Sequence, residues 1–524
     1  MHGAPAPESR RRHAGRDRGR GRPVRVTVAT VAALAALVSG CSISFDDPST
    51  ATTAPSTDRN EAPSSTVRPA DPATSGFPAD WSPAPLDWAP CEFDPTLDCS
   101  ELEVPRNWSE PDGPTLTLAL ARRPATGRSE GTLLTNPGGP GGSGVDFIAG
   151  GPLSDETDQR FDTVSWDPRG VGASTAVDCD AGVQDFERLD SQPDTPQEQA
   201  DLDAAAATVS SDCASEAGDL LPFVGTANVA RDLEAIRLAL GGEPLNYVGF
   251  SYGTQIGQEY AALFPTHIRS MVLDGVVDPN LSFTEFLTAQ AQAFEQSFNG
   301  NANACADAGV AECGVADLAG TYDRVIARAE TQPLRTPTGA LGPSEIAVAA
   351  TYSAYVPQGW RELGPALASA DVGDGGKLAD LAASYYDFGG YPSYAAVVCI
   401  DTPPPSGAAA YREFARRAAE AAPRFGAAVA NEMLPCATWA APAVADPVPV
   451  IPSTVPPILV VGNTGDPATP YSNALAVANR TPNAVLLTVE TDGHTAYGSS
   501  TCVDRIVDAY LVDLELPPPN ATCR

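Results

Sequence analysis

Leu245-Asn-Tyr-Val-Gly-Phe250-Ser251-Tyr-Gly253-Thr-Gln-Ile-Gly-Gln-Glu-Tyr-Ala-Ala-Leu-Phe264 is the stretch on which the reading of this chain turns. Its first six residues are a short apolar run bounded by Pro244 and Ser251, which predicts a buried strand. From Thr254 onward the apolar residues recur at helical spacing. Between them stands Gly249-Phe-Ser-Tyr-Gly253, a Gly-x-Ser-x-Gly turn joining strand to helix. Such a turn is so tight that only small residues fit on either side of the serine, and it leaves the hydroxyl exposed above the sheet with a helix N-terminus behind it. With 46 Gly in the chain the pattern alone has little weight, so its partners decide its meaning.

A serine hydroxyl is a weak nucleophile at neutral pH and needs a base, which in turn needs an orienting carboxylate. Two histidines lie beyond the amino-terminal leader. His267 precedes the strand signal Ile268–Leu273, which puts it at a strand entrance away from the turn, in a structural role. His494 follows Val485-Leu-Leu-Thr-Val489, at a strand's carboxyl end, and is the predicted base. The acid is Asp466, in Gly462-Asn-Thr-Gly-Asp466-Pro directly after Ile458-Leu-Val-Val461. Asp492 is a rival, but two residues from His494 on one loop it is poorly placed to reach Nδ1. The order Ser251, Asp466, His494 is that of the α/β-hydrolases. Asn136-Pro-Gly-Gly-Pro-Gly-Gly-Ser-Gly144 follows the strand signal Gly131–Asn136 and has little side chain to obstruct its N–H groups. By analogy with other glycine-rich oxyanion loops, the N–H groups of Gly139 and Tyr252 are the expected oxyanion hole. No Gly-Lys-Ser/Thr follows, which argues against a phosphate loop.

Outward from these motifs the chain alternates strand and helix signals from Trp88, the mark of an α/β fold. Leu102–Val104, Leu116–Ala121 and Phe161–Trp166 read as further strands. Thr226–Leu240 reads as a helix capped by Thr226 and ended by Gly241-Gly242. Between Asp278 and Ser453 the rhythm breaks into Ala-rich helical sequence. The predicted architecture is therefore an α/β-hydrolase sheet with a large, mainly helical cap inserted before the acid-bearing strand. Its parts are core 86–277, cap 278–453 and core 454–524.

The amino terminus reads as an address. Arg10 to Arg25 hold eight Arg against one Asp, Val26–Val38 is apolar or small, and Val38-Ser-Gly-Cys41 closes the segment. That describes a lipoprotein signal peptide over 1–40 with lipidation at Cys41, its apolar run falling short of the ~20 residues that span a bilayer. Residues 41–85, rich in Ser, Thr, Pro, Ala and Asp, read as a disordered tether. The expected destination is the outer face of the bacterial cell membrane, held there by the lipid anchor. Removing the leader moves the net charge from −34 to −40, which excludes nucleic acid as a partner.

Ten cysteines remain after Cys41, an even number in an exported chain, and imply disulfides. Sequence order pairs neighbours: Cys91–Cys99, Cys179–Cys213, Cys305–Cys313, Cys399–Cys436 and Cys502–Cys523. None lies in a CxxC or beside a histidine, so no metal or redox cofactor is expected.

Asn136–Gly144, Trp166-Asp-Pro-Arg-Gly-Val-Gly-Ala-Ser174, Gly249–Thr254, Leu273-Asp-Gly275, Gly465-Asp-Pro-Ala-Thr-Pro470 and Gly493-His-Thr495 together resemble the secreted tripeptidyl aminopeptidases, in the prolyl-aminopeptidase-like branch of the α/β-hydrolases. They are similar as well to the mycobacterial envelope proteases once called carboxylesterase A. The likeness runs from about Trp88 to Cys523. It implies release of short peptides from substrates with free amino termini. Prolyl aminopeptidases proper carry His where Pro137 stands, so their proline preference is not carried over. Holding an ammonium group requires an anion, because burying that charge unpaired costs several kcal/mol. The cap offers Glu285, Glu295 and Asp401, with Glu285 and Glu295 as first candidates. A carboxylesterase or lipase with the same triad, and a peptide-binding lipoprotein without activity, are the competing readings.

Overall fold

The computed structural model describes residues 75–524 apart from 152, 338, 387 and 444–449. The predicted leader 1–40, Cys41 and the tether up to residue 74 lie outside the described residues. No helix among the described residues is long and apolar enough to cross a membrane.

Twelve strands follow in chain order: β1 Ala89–Pro90, β2 Asp98–Pro105, β3 Thr115–Arg123, β4 Thr132–Asn136, β5 Asp162–Trp166, β6 Leu245–Phe250, β7 Ile268–Asp274, β8 Leu334–Thr336, β9 Gly339–Leu341, β10 Ile458–Gly465, β11 Val485–Asp492 and β12 Ala521–Cys523. Ten of them form one sheet, ordered β1-β2-β3-β5-β4-β6-β7-β10-β11-β12, while β8 and β9 pair apart in the cap. The first strands pair antiparallel; from β5 to β12 every pairing is parallel. Helices must therefore cover both faces, and the central strands read as near-continuous apolar runs. All six residues of β6 are buried.

Strand periodicity splits the core in two. Leu134, Tyr247, Met271 and Val460 point into the larger cluster, which continues into the cap. Their neighbours Leu133, Val248, Val272 and Val461 point to the other face, which the helix Thr501–Asp513 covers. The register lines up the carboxyl ends that matter: Asn136 faces Gly249, and Asp274 faces both Phe250 and Val461.

Two parts of the fold depart from expectation. The helix Thr226–Ala239 begins at Gly225, with no side-chain cap. The Thr226 hydroxyl instead hydrogen-bonds Tyr252 Oη at 2.7 Å and donates to Asp401, so tertiary partners replace the cap bond. Second, the cap has two sources. The helices Val183–Arg188 and Pro196–Ala217 come from the stretch assigned to the core, yet they join the inserted helices. Ser210 Oγ donates to the Pro435 carbonyl at 2.7 Å, Asn431 Nδ2 to Ser191 O at 2.9 Å, and Arg412 pairs with Asp203 at 2.9 Å. The disulfides join Cys91–Cys99, Cys179–Cys213, Cys305–Cys313, Cys399–Cys436 and Cys502–Cys523. Two of them, Cys179–Cys213 and Cys399–Cys436, staple the two sources of the cap internally.

Candidate active site

Ser251 sits between β6 and the helix Tyr252–Leu263 with φ 54° and ψ −123°, a conformation a non-glycine residue holds only when its surroundings enforce it. Those surroundings are specific. A Cβ on Gly249 would come within 2.4 Å of the Gly253 carbonyl oxygen, and one on Gly253 within 2.6 Å of Asn136 O. The Ser251 N–H donates to Asp274 O at 2.9 Å. The Thr254 hydroxyl donates back to Ser251 O at 2.6 Å and accepts from Val277 N at 3.0 Å, buckling the turn to the chain beyond β7.

His494 and Asp466 meet as the sequence order requires. His494 Nδ1 lies 2.9 Å from each Asp466 carboxylate oxygen. Asp466 Oδ1 also accepts the N–H groups of Ala468 and Thr469, at 3.0 and 2.8 Å, which fixes the carboxylate before it fixes the ring. Burial works against a charged imidazole, but the Asp466 carboxylate outweighs it, and the His494 pKa lies above its ordinary value. His494 Nε2 is buried and unpaired; in unliganded enzymes the nucleophile–base contact often tightens only with substrate. The cap holds the ring from above: His494 N–H donates to Tyr355 O at 2.9 Å, and the Tyr355 ring stands edge-on to the imidazole at 5.4 Å. Asp492, the rival acid, is not among the partners of His494. His267 lies buried at the entrance of β7, with Nδ1 3.0 Å from Glu234 Oε1.

The glycine-rich loop abuts the serine. A Cβ on Gly138 would fall 2.8 Å from Ser251 Cβ and 2.9 Å from Tyr252 N. Tyr252 opens its helix, so its N–H has no intrahelical acceptor. The loop is braced from two sides. Asp167 accepts from the Ser143 hydroxyl at 2.6 Å and Val145 N at 3.0 Å, and Gly142 forms an antiparallel bridge with Gly389 of the cap.

Ser251, His494, Gly139 and Tyr252 open into one cavity of about 1350 Å³ between sheet and cap. Its walls carry many aromatic rings, five acids (Asp180, Glu187, Asp278, Asp401 and Glu432) and, among the described residues, no arginine or lysine. Glu285 and Glu295 are not in it. Glu285 is exposed and closes a capping box, accepting from Ser282 N at 2.9 Å. Glu295 is neutralised by Arg424 at 2.8 Å. Bonds within the protein occupy both carboxylates, Glu285 at its own helix start and Glu295 through an arginine 129 residues away. Asp401 does reach the cavity but accepts from Thr226 N at 2.9 Å. Burial pushes its pKa up to about 6.

Glu187 and Glu432 are cavity carboxylates that the sequence did not single out. Burial pushes Glu432 up to about 7, with the Glu187 charge adding to it and a hydrogen bond from Tyr385 opposing it. Burial likewise raises Glu187 to about 7, helped by Asp180 and Glu345. One signal was available. Glu432 ends the helix Gly426–Glu432, where the macrodipole disfavours an anion, and such a local violation points to function.

A serine, histidine and aspartate on the carboxyl ends of parallel strands, under a helical cap, define an α/β-hydrolase. Residues 131–311 match the alpha/beta hydrolase fold family and residues 422–523 the TAP-like protein family. Serine protease Hip1 of Mycobacterium tuberculosis is 35% identical over 475 residues, covering 84% of this chain and 91% of that protein. Carboxylesterase B of the same species is 34% identical over 453 residues, covering 82% and 86%. The tripeptidyl aminopeptidase of Streptomyces lividans is 33% identical over 475 residues, covering 84% and 87%. The chain belongs to the tripeptidyl aminopeptidase-like serine hydrolases.

Proposed function

We propose that this hydrolase is an extracytoplasmic serine exopeptidase that removes short peptides, tripeptides foremost, from free amino termini. Ser251 is its nucleophile, His494 its base, Asp466 its orienting acid, and the N–H groups of Gly139 and Tyr252 its oxyanion hole. One observation carries the reading: a deep cavity with Glu187 and Glu432 in its wall and no fixed cation among its described residues. Such a site attracts an ammonium group, and the aromatic rings in the same wall offer cation–π attraction. The names of two relatives, a serine protease and a tripeptidyl aminopeptidase, point the same way. The export address at residues 1–41 supports the location.

The chemistry runs as acyl transfer. Ser251 Oγ attacks the scissile carbonyl carbon as its proton passes to His494 Nε2, and the carbonyl oxygen takes up negative charge against the two N–H groups. His494 then gives that proton to the departing amine nitrogen as the C–N bond breaks, leaving the peptide esterified to Ser251. Water repeats the attack with His494 as base, freeing the peptide carboxylate and restoring the serine. Asp466 orients the imidazole throughout.

The name of another relative, a carboxylesterase, and the aromatic cavity favour acyl-ester hydrolysis as a second reading. Comparing kcat/KM for a free-amino tripeptide anilide and its N-acetylated twin separates the two. Losing the charge-assisted contact is expected to cost ~2–5 kcal/mol, some 30- to several-thousand-fold. Equal rates on the two anilides, with a faster short acyl ester, would overturn the exopeptidase reading.

A further inference from the structure

Asp274 ends β7, fully buried, between the strand that carries the nucleophile and the strand that carries the acid. Its backbone oxygen accepts the Ser251 N–H at 2.9 Å. Its side-chain Oδ2 accepts two N–H groups from the loop just after the base, Ala496 at 2.9 Å and Tyr497 at 2.8 Å. Its Oδ1 is buried without a partner. The next residue presses on the base itself: a Cβ on Gly275 would come within 3.0 Å of His494 Cε1. One residue thus reaches the nucleophile through its carbonyl and the base's loop through its carboxylate.

An anchor for two N–H groups does not need a charge. A carbonyl or an asparagine would do the same without the cost of burying an anion. Burial does push Asp274 up to about 6, opposed by the Tyr497 and Ala496 N–H groups and by the His494 charge. No arginine or lysine pairs with it among the described residues. The cation that this position can meet is the His494 imidazolium, which forms while the serine proton is in transit. The groups around the imidazole are Asp466 and Thr469 from the loop after β10, Tyr355 from the cap and Gly275 after β7, with the Asp274 charge acting on the ring.

We infer that Asp274 is a second carboxylate of the catalytic site, a positioning residue that locks the nucleophile turn to the base's loop and, with Asp466, stabilises the imidazolium. It takes no proton from His494 in this role. The inference rests on the reading of Ser251, His494 and Asp466 as the triad, but not on the exopeptidase assignment.

The test is the rate of inactivation by a neutral fluorophosphonate as a function of pH, which involves no substrate amine. In Asp274→Asn the amide oxygen still accepts both N–H groups while the charge is gone. The expected result is a plateau rate about tenfold lower, or 1.36 kcal/mol. The acid limb should also move to lower pH, because an imidazolium that has lost one of two anions releases its proton more readily. A limb that coincides with the wild type, whatever the plateau, overturns the inference, since a purely structural role lowers the rate without moving the limb. His494→Ala is run alongside. If it reacts at the wild-type rate, the triad reading falls and this inference with it. If it is inert while the Asp274→Asn limb stays put, only this inference falls. Should Asp274→Asn not fold, NMR titration of the His494 ring in the wild type from about pH 4 to 8 decides. A second inflection from a neighbouring carboxylate is expected, and a single inflection overturns it.

Discussion

Ser251, Asp466 and His494 stand on the carboxyl ends of three strands within a run of four neighbours, β6, β7, β10 and β11, whereas Glu187 and Glu432 come from two separate cap segments that meet only in the folded chain. The strand-end set is held by short backbone bonds that leave each side chain one position. The cap set is held by burial, which leaves both carboxylates at about 7. On the proposed reading the strand-end set carries the reaction and the two cap carboxylates carry the choice of substrate.

Breaking the sheet side should therefore abolish everything, and breaking the cap side should abolish only selectivity. Ser251→Ala is expected to lose about 10³-fold or more in kcat on anilide and ester alike, with an unchanged melting curve. Labelling by a fluorophosphonate that persists in this variant would refute the nucleophile. Glu432→Gln is expected next in size. It should lose some 30- to several-thousand-fold in kcat/KM on a free-amino tripeptide anilide while leaving a short acyl ester within about threefold. An equal loss on both substrates would erase the distinction between the two sides.

A smaller effect sharpens the same distinction through pH. Glu187 and Glu432, raised to about 7, become neutral as pH falls through that value and lose their hold on an ammonium group. KM for the free-amino substrate should rise about tenfold from pH 8 to pH 6, while KM for the ester stays flat. The smallest effect is a control. Glu285→Ala, which touches only its own helix start, should leave kcat/KM for either substrate within about twofold.

The same contrast explains what could be read in advance. Gly249, Gly253 and Gly138 are glycines because backbone passes within 3 Å of where a Cβ would sit, and Asp167 and Arg169 are held by several bonds each. Requirements that strict leave fixed residue types at fixed spacing, so the sheet, the tight turn at Ser251 and the meeting of Asp466 with His494 could be read from the chain alone. A carboxylate that binds an amine needs only to be buried near the right place. Ser282 and Arg424 occupy Glu285 and Glu295, and only tertiary packing leaves Glu432 facing the cavity. For the same reason the helices at 183–217 were assigned to the core: nothing local announces that Ser210 bonds Pro435, 225 residues away.

Two cap contacts described above, Gly142 with Gly389 and His494 N–H with Tyr355 O, fasten the cap to the glycine-rich loop and to His494. A cap so fastened is not an interchangeable module. Transplanting a relative's cap to change the substrate would also remove a strut from the glycine-rich loop and from His494. New specificity in this lineage is therefore expected to arise by substitutions inside the cavity wall, with the segments around Gly389 and Tyr355 carried over intact.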